Sequence, residues 1–128
     1  MSVTFTAATR SFSAEWNTDV IRPLPAAEEL EVNMSNSNAA RVCASLGIDL
    51  EAEGWCGGMP AEDFLGRVLL ALAIEPEDAG VPVTVDSAPG RGTFVDCGRA
   101  EGYLQERLGQ LRELADWAVA NKAEISFA

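Results

Sequence analysis

The segment from about Ala100 to about Asn121 constrains the fold most, because it is the longest stretch in which apolar residues repeat with helical spacing. At 100° per residue, one arc of this segment holds Leu104, Leu108, Leu111, Ala115 and Ala118, with Leu114 and Tyr103 on its flank. At 1.5 Å per residue such a helix is about 30 Å long. We therefore expect a C-terminal helix that crosses the whole domain and buries one face along its length.

Two shorter helices are predicted upstream. The first begins at residues 35–38, whose short polar side chains can accept hydrogen bonds from the free N–H groups of a first helical turn, and ends at Gly47. Its apolar face holds Ala39, Val42, Cys43 and Leu46. The second helix opens at Pro60 and stops at Pro76. Its apolar arc comprises Phe64, Leu65, Val68, Leu69 and Leu72.

Period-two alternation predicts short strands between these helices. It occurs at residues 3–6, 11–16, 29–34 and 124–127, and residues 81–85 and 93–97 flank a glycine-rich turn at 88–92 typical of a hairpin. Prolines make Arg22–Pro25 an extended linker, and residues 48–59 are interpreted as a loop. The expected fold class is α+β, with a small, mostly antiparallel sheet packed on one face by about three helices, the C-terminal one longest.

The length of 128 residues predicts a single domain spanning 1–128. Within it, residues 1–29 are expected to form an N-terminal hairpin and linker, and residues 30–128 the main body. This length lets the chain bury about two thirds of its surface, so a core needs neither disulfides nor metals.

The chain contains no histidine and carries a formal net charge of −11. The missing histidine excludes Ser/His and Cys/His nucleophilic pairs, histidine bases and histidine metal ligands. Phosphate backbones and anionic lipids repel so acidic a surface, so we expect neither a nucleic-acid partner nor a membrane partner. The sequence predicts no cofactor, and it favours a protein that is not an enzyme.

The three cysteines, Cys43, Cys56 and Cys97, fit neither a CxxC motif nor a zinc framework. Free thiols in a reducing cytoplasm are the simpler interpretation. Cys43, on an apolar helical face, is expected to be inert. Cys97 stands at a predicted strand-to-helix junction near Arg99, which could lower its thiol pKa, but no base is supplied for it.

An anion or small-ligand site is one hypothesis for the helix that starts near Ser35. Free N–H groups and polar side chains cluster there, at Asn33, Ser35, Asn36 and Asn38, although capping also explains these residues. Arg67 and Arg107 stand at the margin of, or inside, apolar helical arcs and are added to this set. For Arg107, the candidate charge partners are Asp96, Asp63 and Glu101. The Gly90–Gly92 turn is a weaker phosphate candidate.

Two further hypotheses concern the loop at 48–59. Asp49, Glu51 and Glu53 match the first half of an EF-hand loop, but Pro60 replaces the bidentate glutamate, so they remain weak candidates for a divalent cation. Trp55 lies in a stretch with little core pattern, where an exposed aromatic side chain would anchor a protein contact. Trp117 lies off the main helical arc and is the second such candidate, facing a neighbouring strand or a second subunit.

Three segments together carry a resemblance to known proteins. Residues 33–39 (NMSNSNA), 59–71 (MPAEDFLGRVLLA) and 96–108 (DCGRAEGYLQERL) resemble a group of short proteins encoded by actinobacteria and their phages. The resemblance covers roughly residues 30–128. It implies an actinobacterial or phage origin and a compact cytoplasmic role, and it carries no activity, cofactor or catalytic residue with it.

These observations favour a small acidic cytoplasmic protein that acts as a non-catalytic interaction or self-associating module, with an unidentified protein or a second copy as partner. The alternatives are a small-ligand or anion-binding protein or minor enzyme that uses the Asn/Ser-rich helix start with nearby arginines, and a cation-binding protein that uses residues 49–53. The ligand alternative requires its side chains to converge on one pocket.

Overall fold

The computed structural model describes residues 1–74 and 102–128 in full, and residues 84–88 and 92–96 as backbone. Along the chain the strands are β1 (Ser2–Ser13), β2 (Thr18–Pro23), β3 (Val32–Ser35), β4 (Gly57–Pro60), β5 (Thr84–Ala88), β6 (Gly92–Asp96) and β7 (Glu124–Phe127). The helices are a 3₁₀-helix (Pro25–Leu30), α1 (Asn36–Ser45), α2 (Ala61–Ile74) and α3 (Tyr103–Ala120).

The main sheet has five antiparallel strands built around β1. Its order is β2-β1-β7-β4, and β3 also pairs with β1. The N-terminal half of β1 pairs with β3, from Ser2 opposite Ser35 to Phe5 opposite Val32. The C-terminal half pairs with β2, while the middle pairs with β7 on the opposite side. The predicted α+β class, with a small antiparallel sheet and the C-terminal helix longest, is confirmed.

The core lies between one face of this sheet and the helices. Val3, Phe5 and Ala7 alternate along β1 and are all buried, as expected for a strand with one covered face. The apolar arc predicted for the C-terminal helix is confirmed, because its members and Leu114 are fully or almost fully buried. That helix begins at Tyr103; residues 97–101 lie outside the described part of the chain.

The N-terminal strand prediction was partly wrong. A single strand, β1, replaces the short strands at 3–6 and 11–16, because Ala7 and Ala8 are small enough to be buried where the alternation lapses. The 11–16 segment spans the end of β1 and the turn into β2, where Asn17 has a left-handed φ of 50°. Asparagine tolerates that conformation better than most residues.

Two other predictions for the N-terminal part of the chain were wrong. Residues 25–30 form a 3₁₀-helix with Pro25 in its first turn, so the strand at 29–34 is shortened to β3. Proline is common at that position because its fixed φ suits the first turn of a helix. The predicted linker is also shorter, since Arg22 and Pro23 complete β2.

The loop predicted at 48–59 ends in a strand, β4, which pairs with β7. Pro60 closes this strand and directly precedes α2, so it is not the first helical residue. In α2, Phe64 and Val68 are buried as expected, but Leu69 is 41% exposed. The α1 prediction is confirmed: Ser35 caps its N-terminus, and Gly47, which follows its last turn, has the left-handed φ of 73°.

The glycine-rich hairpin is confirmed at the level of the backbone. β5 pairs antiparallel with β6, from Thr84 opposite Asp96 to Ala88 opposite Gly92. β5 is shifted by three residues from the predicted bounds and β6 by one. The Gly90–Gly92 phosphate hypothesis and the Cys97 hypothesis fall largely or wholly outside the described residues.

Candidate functional site

The outer part of the β1–β2 hairpin, residues 9–22, projects beyond the rest of the main sheet and is called the arm below. β7 pairs with β1 only as far as Ala8, opposite Glu124. Beyond that point the described partner of β1 is β2, from Thr9 opposite Arg22 to Ser13 opposite Thr18. The arm is therefore a two-stranded extension with its apolar side chains outside the core.

Three large apolar side chains of the arm are exposed to solvent: Phe12 by 65%, Trp16 by 71% and Ile21 by 39%. Phe12 lies opposite Asp19, and Arg10 lies opposite Ile21. Phe12 and Ile21 are thus diagonal neighbours on the same face, a spacing at which cross-strand side chains can touch. The arm presents a small apolar surface.

An ion pair lies at the base of the arm on that same face. Arg10 Nε lies 3.3 Å from Glu124 Oε2, and both side chains are partly exposed. An exposed pair of this kind contributes little to stability. The pair lies where the backbone pairing of β1 with β7 ends, so it marks the boundary between the main sheet and the arm.

The Asn/Ser cluster at the start of α1 is satisfied by local contacts. Ser35 Oγ accepts a hydrogen bond from the Asn38 N–H at 3.4 Å and lies 3.4 Å from Ser37 Oγ. Asn33 lies on the outer face of the sheet, where its Nδ2 donates to Ser2 Oγ and, at 2.7 Å, to Thr4 Oγ1. These contacts agree with capping and cross-strand pairing, and Asn36 and Asn38 are half-buried beside them.

Arg67 lies at the other end of α1. Its Nη1 donates to Leu46 O at 2.8 Å and reaches Gly47 O at 3.5 Å. These carbonyls belong to the end of a helix, where backbone acceptors lack helical partners and a cation is favourable. Arg67 therefore caps α1 from α2. It does not join the cluster at the N-terminus of the same helix.

Arg107 occupies a third place. Its Nη1 donates to Gln110 Oε1 at 2.8 Å, and its guanidinium carbon lies 5.1 Å from the centre of the Tyr103 ring. Its buried Nε has no hydrogen-bond partner among the described residues. Of the predicted charge partners, Asp63 is described but is in none of the ion pairs found among the described side chains, and Asp96 and Glu101 fall outside the described side chains.

Arg107 borders a cleft of about 210 Å³ that is also lined by carboxylate residues, namely Glu29, Glu31 and Glu113. Such a lining would repel an anion. The expected convergence of Asn33, Ser35, Asn36 and Asn38 with Arg67 and Arg107 is therefore not found. These side chains lie at three separate places, which removes the geometric basis of the anion-site hypothesis.

The loop after α1 forms a shallow cavity of about 390 Å³ with Trp55 in its wall. Trp55 is 36% exposed and has an unusual left-handed φ of 65°, held by a 2.8 Å hydrogen bond from its N–H to Leu50 O. Its exposure agrees with the contact prediction, but it is less exposed than Phe12 or Trp16. Trp117 packs, half-buried, against the core.

The acidic side chains in this loop have a local role. Asp49 Oδ1 accepts a hydrogen bond from the Ala52 N–H at 3.2 Å, and Glu51 and Glu53 are exposed. Among the fully described residues, no three carboxylate, thiol or imidazole side chains are grouped closely enough to hold a metal ion. Geometry thus adds nothing to the cation hypothesis for residues 49–53.

No family model, curated protein or solved structure matches this chain. The proposal for its function therefore rests on the residues described above. Among these residues, no helix has the length and apolar character needed to cross a bilayer.

Sequence reasoning missed Phe12, Trp16 and Ile21 as contact residues, although a signal was present. The alternation over residues 11–16 places Phe12 and Trp16 on the apolar face of a strand. Such a pattern predicts burial of that face but does not say what buries it. In the structure the domain's own core leaves it largely uncovered.

The two described cysteines differ sharply in environment. Burial raises the pKa of the Cys43 thiol from its ordinary value of 9.0 to about 12, whereas Cys56 is exposed. Because the thiolate is the reactive form, we expect iodoacetamide at mildly alkaline pH to modify Cys56 and spare Cys43 until the chain unfolds. Peptide-resolved mass spectrometry measures both rates, with Cys56→Ser as control; equal rates in the folded protein would contradict the buried position of Cys43.

The same burial predicts a pH dependence of stability. Above pH 9 the unfolded chain loses the Cys43 proton and the folded chain keeps it, so the unfolded state is favoured. The contribution of this thiol to stability is therefore complete below pH 9 and is lost as the pH rises toward 12. A Cys43→Ala variant should show a shallower alkaline loss of stability in urea titrations.

Proposed function

We propose that this chain is a non-catalytic protein-interaction module and that it makes its contact through the arm. The observation that carries the proposal is the exposure of Phe12, Trp16 and Ile21 on one projecting hairpin. Large aromatic side chains supply most of the binding energy at many protein interfaces. In the arm they are already placed at the end of a paired, hydrogen-bonded element.

The chemistry of the chain supports a binding role. It has no histidine, and the arginines and amide side chains considered for a ligand site lie apart. The thiol of Cys43 is buried and held in its protonated form by a raised pKa. Each of these observations weakens the case for a reaction catalysed by the described residues, whereas the exposed apolar surface of the arm favours a partner.

The setting of this contact is part of the proposal. Free cysteines favour a reducing cytoplasm, and the resemblance of residues 30–128 suggests an actinobacterium or its phage. The acidic surface argues against DNA, RNA and anionic lipid as partners. The partner surface is expected to be apolar where it meets Phe12 and Trp16.

Paired variants test the proposal. Phe12→Ser combined with Trp16→Ser removes both exposed aromatic side chains of the arm, and we expect association with any partner, including a second copy, to weaken by about tenfold or more. The control combines Leu70→Ser with Ile74→Ser, which removes the two most exposed large apolar residues of α2. Tagged wild-type and variant chains are compared by capture from cytoplasmic extract and by light scattering.

Both pairs of substitutions lie at the surface, so melting temperatures should stay close to that of the wild type. If the arm variant retains every association of the wild type while the α2 variant loses it, the contact surface is α2 and the proposal is wrong. If neither variant changes any association, the arm is not a contact surface and the proposal fails as well.

A further inference from the structure

The outer edge of β2 is an open edge of the main sheet. In the strand order β2-β1-β7-β4, β2 stands at one end, and no described strand pairs with its other side. Open edges present unpaired N–H and C=O groups to any extended chain. Of the features that protect such edges, this strand, TDVIRP, has two charged side chains and a proline at its last position, and it has no lysine.

The hydrogen-bond pattern of the hairpin shows which groups of β2 point outward. The Leu24 N–H donates to Ala7 O at 2.9 Å, and this bond continues the β1–β2 register by one residue beyond Ala8 opposite Pro23. In an antiparallel pair, bonded and non-bonded positions alternate. Residues 18, 20 and 22 therefore bond to β1, and the N–H and C=O groups of Asp19 and Ile21 point away from it.

Pro23 fits this pattern. Like Asp19 and Ile21, it is at a position whose backbone groups point away from β1, so the N–H that proline lacks would not have bonded to β1. The free donors of the edge are thus the N–H groups of Asp19 and Ile21. The outward N–H and C=O groups of Asp19 and Ile21 are two residues apart, so they can bond to the same groups of a second, antiparallel β2.

Two copies of β2 can pair in this way around a two-fold axis perpendicular to the sheet. With such an axis, equivalent faces of the two copies lie on the same side of the joined sheet. Asp19 and Ile21 of one copy then lie opposite Asp19 and Ile21 of the other. The Phe12 and Ile21 side chains of both copies then lie on one face of a continuous sheet. Pairing the edges would therefore extend the apolar surface as well as satisfy the backbone.

The distribution of charge favours a second copy over a basic partner at this surface. Arg10 and Arg22 balance Glu15 and Asp19, so the arm has no net charge and the whole −11 lies in the rest of the chain. A strongly basic partner would gain more from the acidic body than from the arm. Two acidic copies, in contrast, repel each other least where both are neutral.

We propose that the occupant of the arm is a second copy of this chain, joined by antiparallel pairing of the two β2 edges. This inference rests on the proposed function, since it names the partner of the same arm. The dimer is a symmetric sheet that crosses the interface, with the acidic bodies at its two ends.

Sedimentation equilibrium of the full chain tests the partner. We expect a mass twice the 13.6 kDa of one chain and a dimer that becomes tighter between about 50 mM and about 500 mM NaCl, because salt screens repulsion between the acidic bodies. A single-chain mass at protein concentrations of about 1 mM in both salts overturns the inference. A dimer that weakens with salt also overturns it.

Hydrogen exchange tests the geometry. We expect the amides of Asp19 and Ile21 to become protected as protein concentration rises, while those of Val20 and Arg22, already bonded within the hairpin, do not change. Exchange at Asp19 and Ile21 that is independent of concentration in a sample shown to be dimeric places the contact elsewhere and overturns edge pairing.

A matched pair of variants gives a third measurement. Ile21→Pro removes an outward N–H without removing a bond to β1, and we expect it to weaken dimerisation by about tenfold or more. Ile21→Val keeps the N–H and should dimerise like the wild type. Equal dimerisation by the proline variant overturns edge pairing.

Different results would overturn the two proposals. If the chain is a monomer at every concentration but the Phe12/Trp16 variant loses capture of a different protein, the second-copy inference is wrong and the interaction function stands. If the arm variant changes neither self-association nor capture, both proposals are wrong.

Discussion

Phe5→Ala should lower the free energy of unfolding by about 3–5 kcal/mol, the range found when a buried phenylalanine is truncated. Phe5 is fully buried, and its ring lies 6.1 Å from that of Phe64 and 5.7 Å from that of Phe127. The alanine would leave a cavity between α2 and two strands. Because domains of this size are stable by only about 5–15 kcal/mol, this single change removes a large share of the total. Urea unfolding followed by circular dichroism measures the loss.

The same strand provides the control. Phe12 is also in β1 but is exposed, so Phe12→Ala should change the free energy of unfolding by no more than about 0.5 kcal/mol. The two variants remove the same atoms from the same strand and differ in what surrounds them. If both cost the same, either Phe5 is not in the core or Phe12 is covered, and the distinction between core and arm would be wrong.

The helices could be predicted from the sequence because their signals are local. The 3.6-residue repeat in α3 extends over five turns, which is enough to predict that Leu104, Leu108 and Leu111 share the buried face. In α1, the Ser35 side chain and the left-handed Gly47 act on neighbouring residues only. No tertiary contact was needed to recognise either end.

Strand β4 could not be predicted because the reason for it lies elsewhere in the chain. Gly57 and Gly58 suggest a flexible turn, and residues 57–60 show no apolar alternation. They become a strand because β7 lies beside them, with Gly57 opposite Phe127 and Met59 opposite Ile125. Local patterns do not contain a pairing between residues so distant in the chain.

The candidate ligand residues show that local sequence patterns also fail to predict which side chains come together in a site. Each predicted ligand residue has a recognisable local property: Ser35 and Asn38 suit a helix start, and Arg67 a helix margin. Their convergence is a tertiary property, and the structure places Arg67 at the opposite end of α1 from Ser35. For the arm, the alternation predicted an apolar face, but only the fold reveals that the core leaves it uncovered.

The pairing of β4 with β7 leads to the second large prediction, at Gly57. A Cβ atom added there would lie 2.8 Å from Cζ and 3.0 Å from Cε2 of Phe127. Phe127 cannot easily move away, because it is nearly fully buried and packs against Phe5. We therefore expect Gly57→Ala to destabilise the protein by about 1–3 kcal/mol through overpacking.

A second glycine shows the opposite effect of the same substitution. Gly109 lies inside α3, and a Cβ there would meet nothing within 4 Å. Gly109→Ala should stabilise the protein by about 0.5–1 kcal/mol, since alanine is the better helix former. Denaturant titrations of both variants under one set of conditions compare the two signs directly.

A double-mutant cycle then separates the clash at Gly57 from any effect on the backbone. Phe127→Leu alone should be destabilising, because it shortens a buried ring that packs on Phe5. In the Gly57→Ala background the smaller leucine makes room for the new methyl group, so the double variant should be more stable than the sum of the two losses, by about 0.5–3 kcal/mol. Strict additivity would mean that alanine at position 57 does not press on the Phe127 ring, and the strand register of β4 on β7 would then need revision.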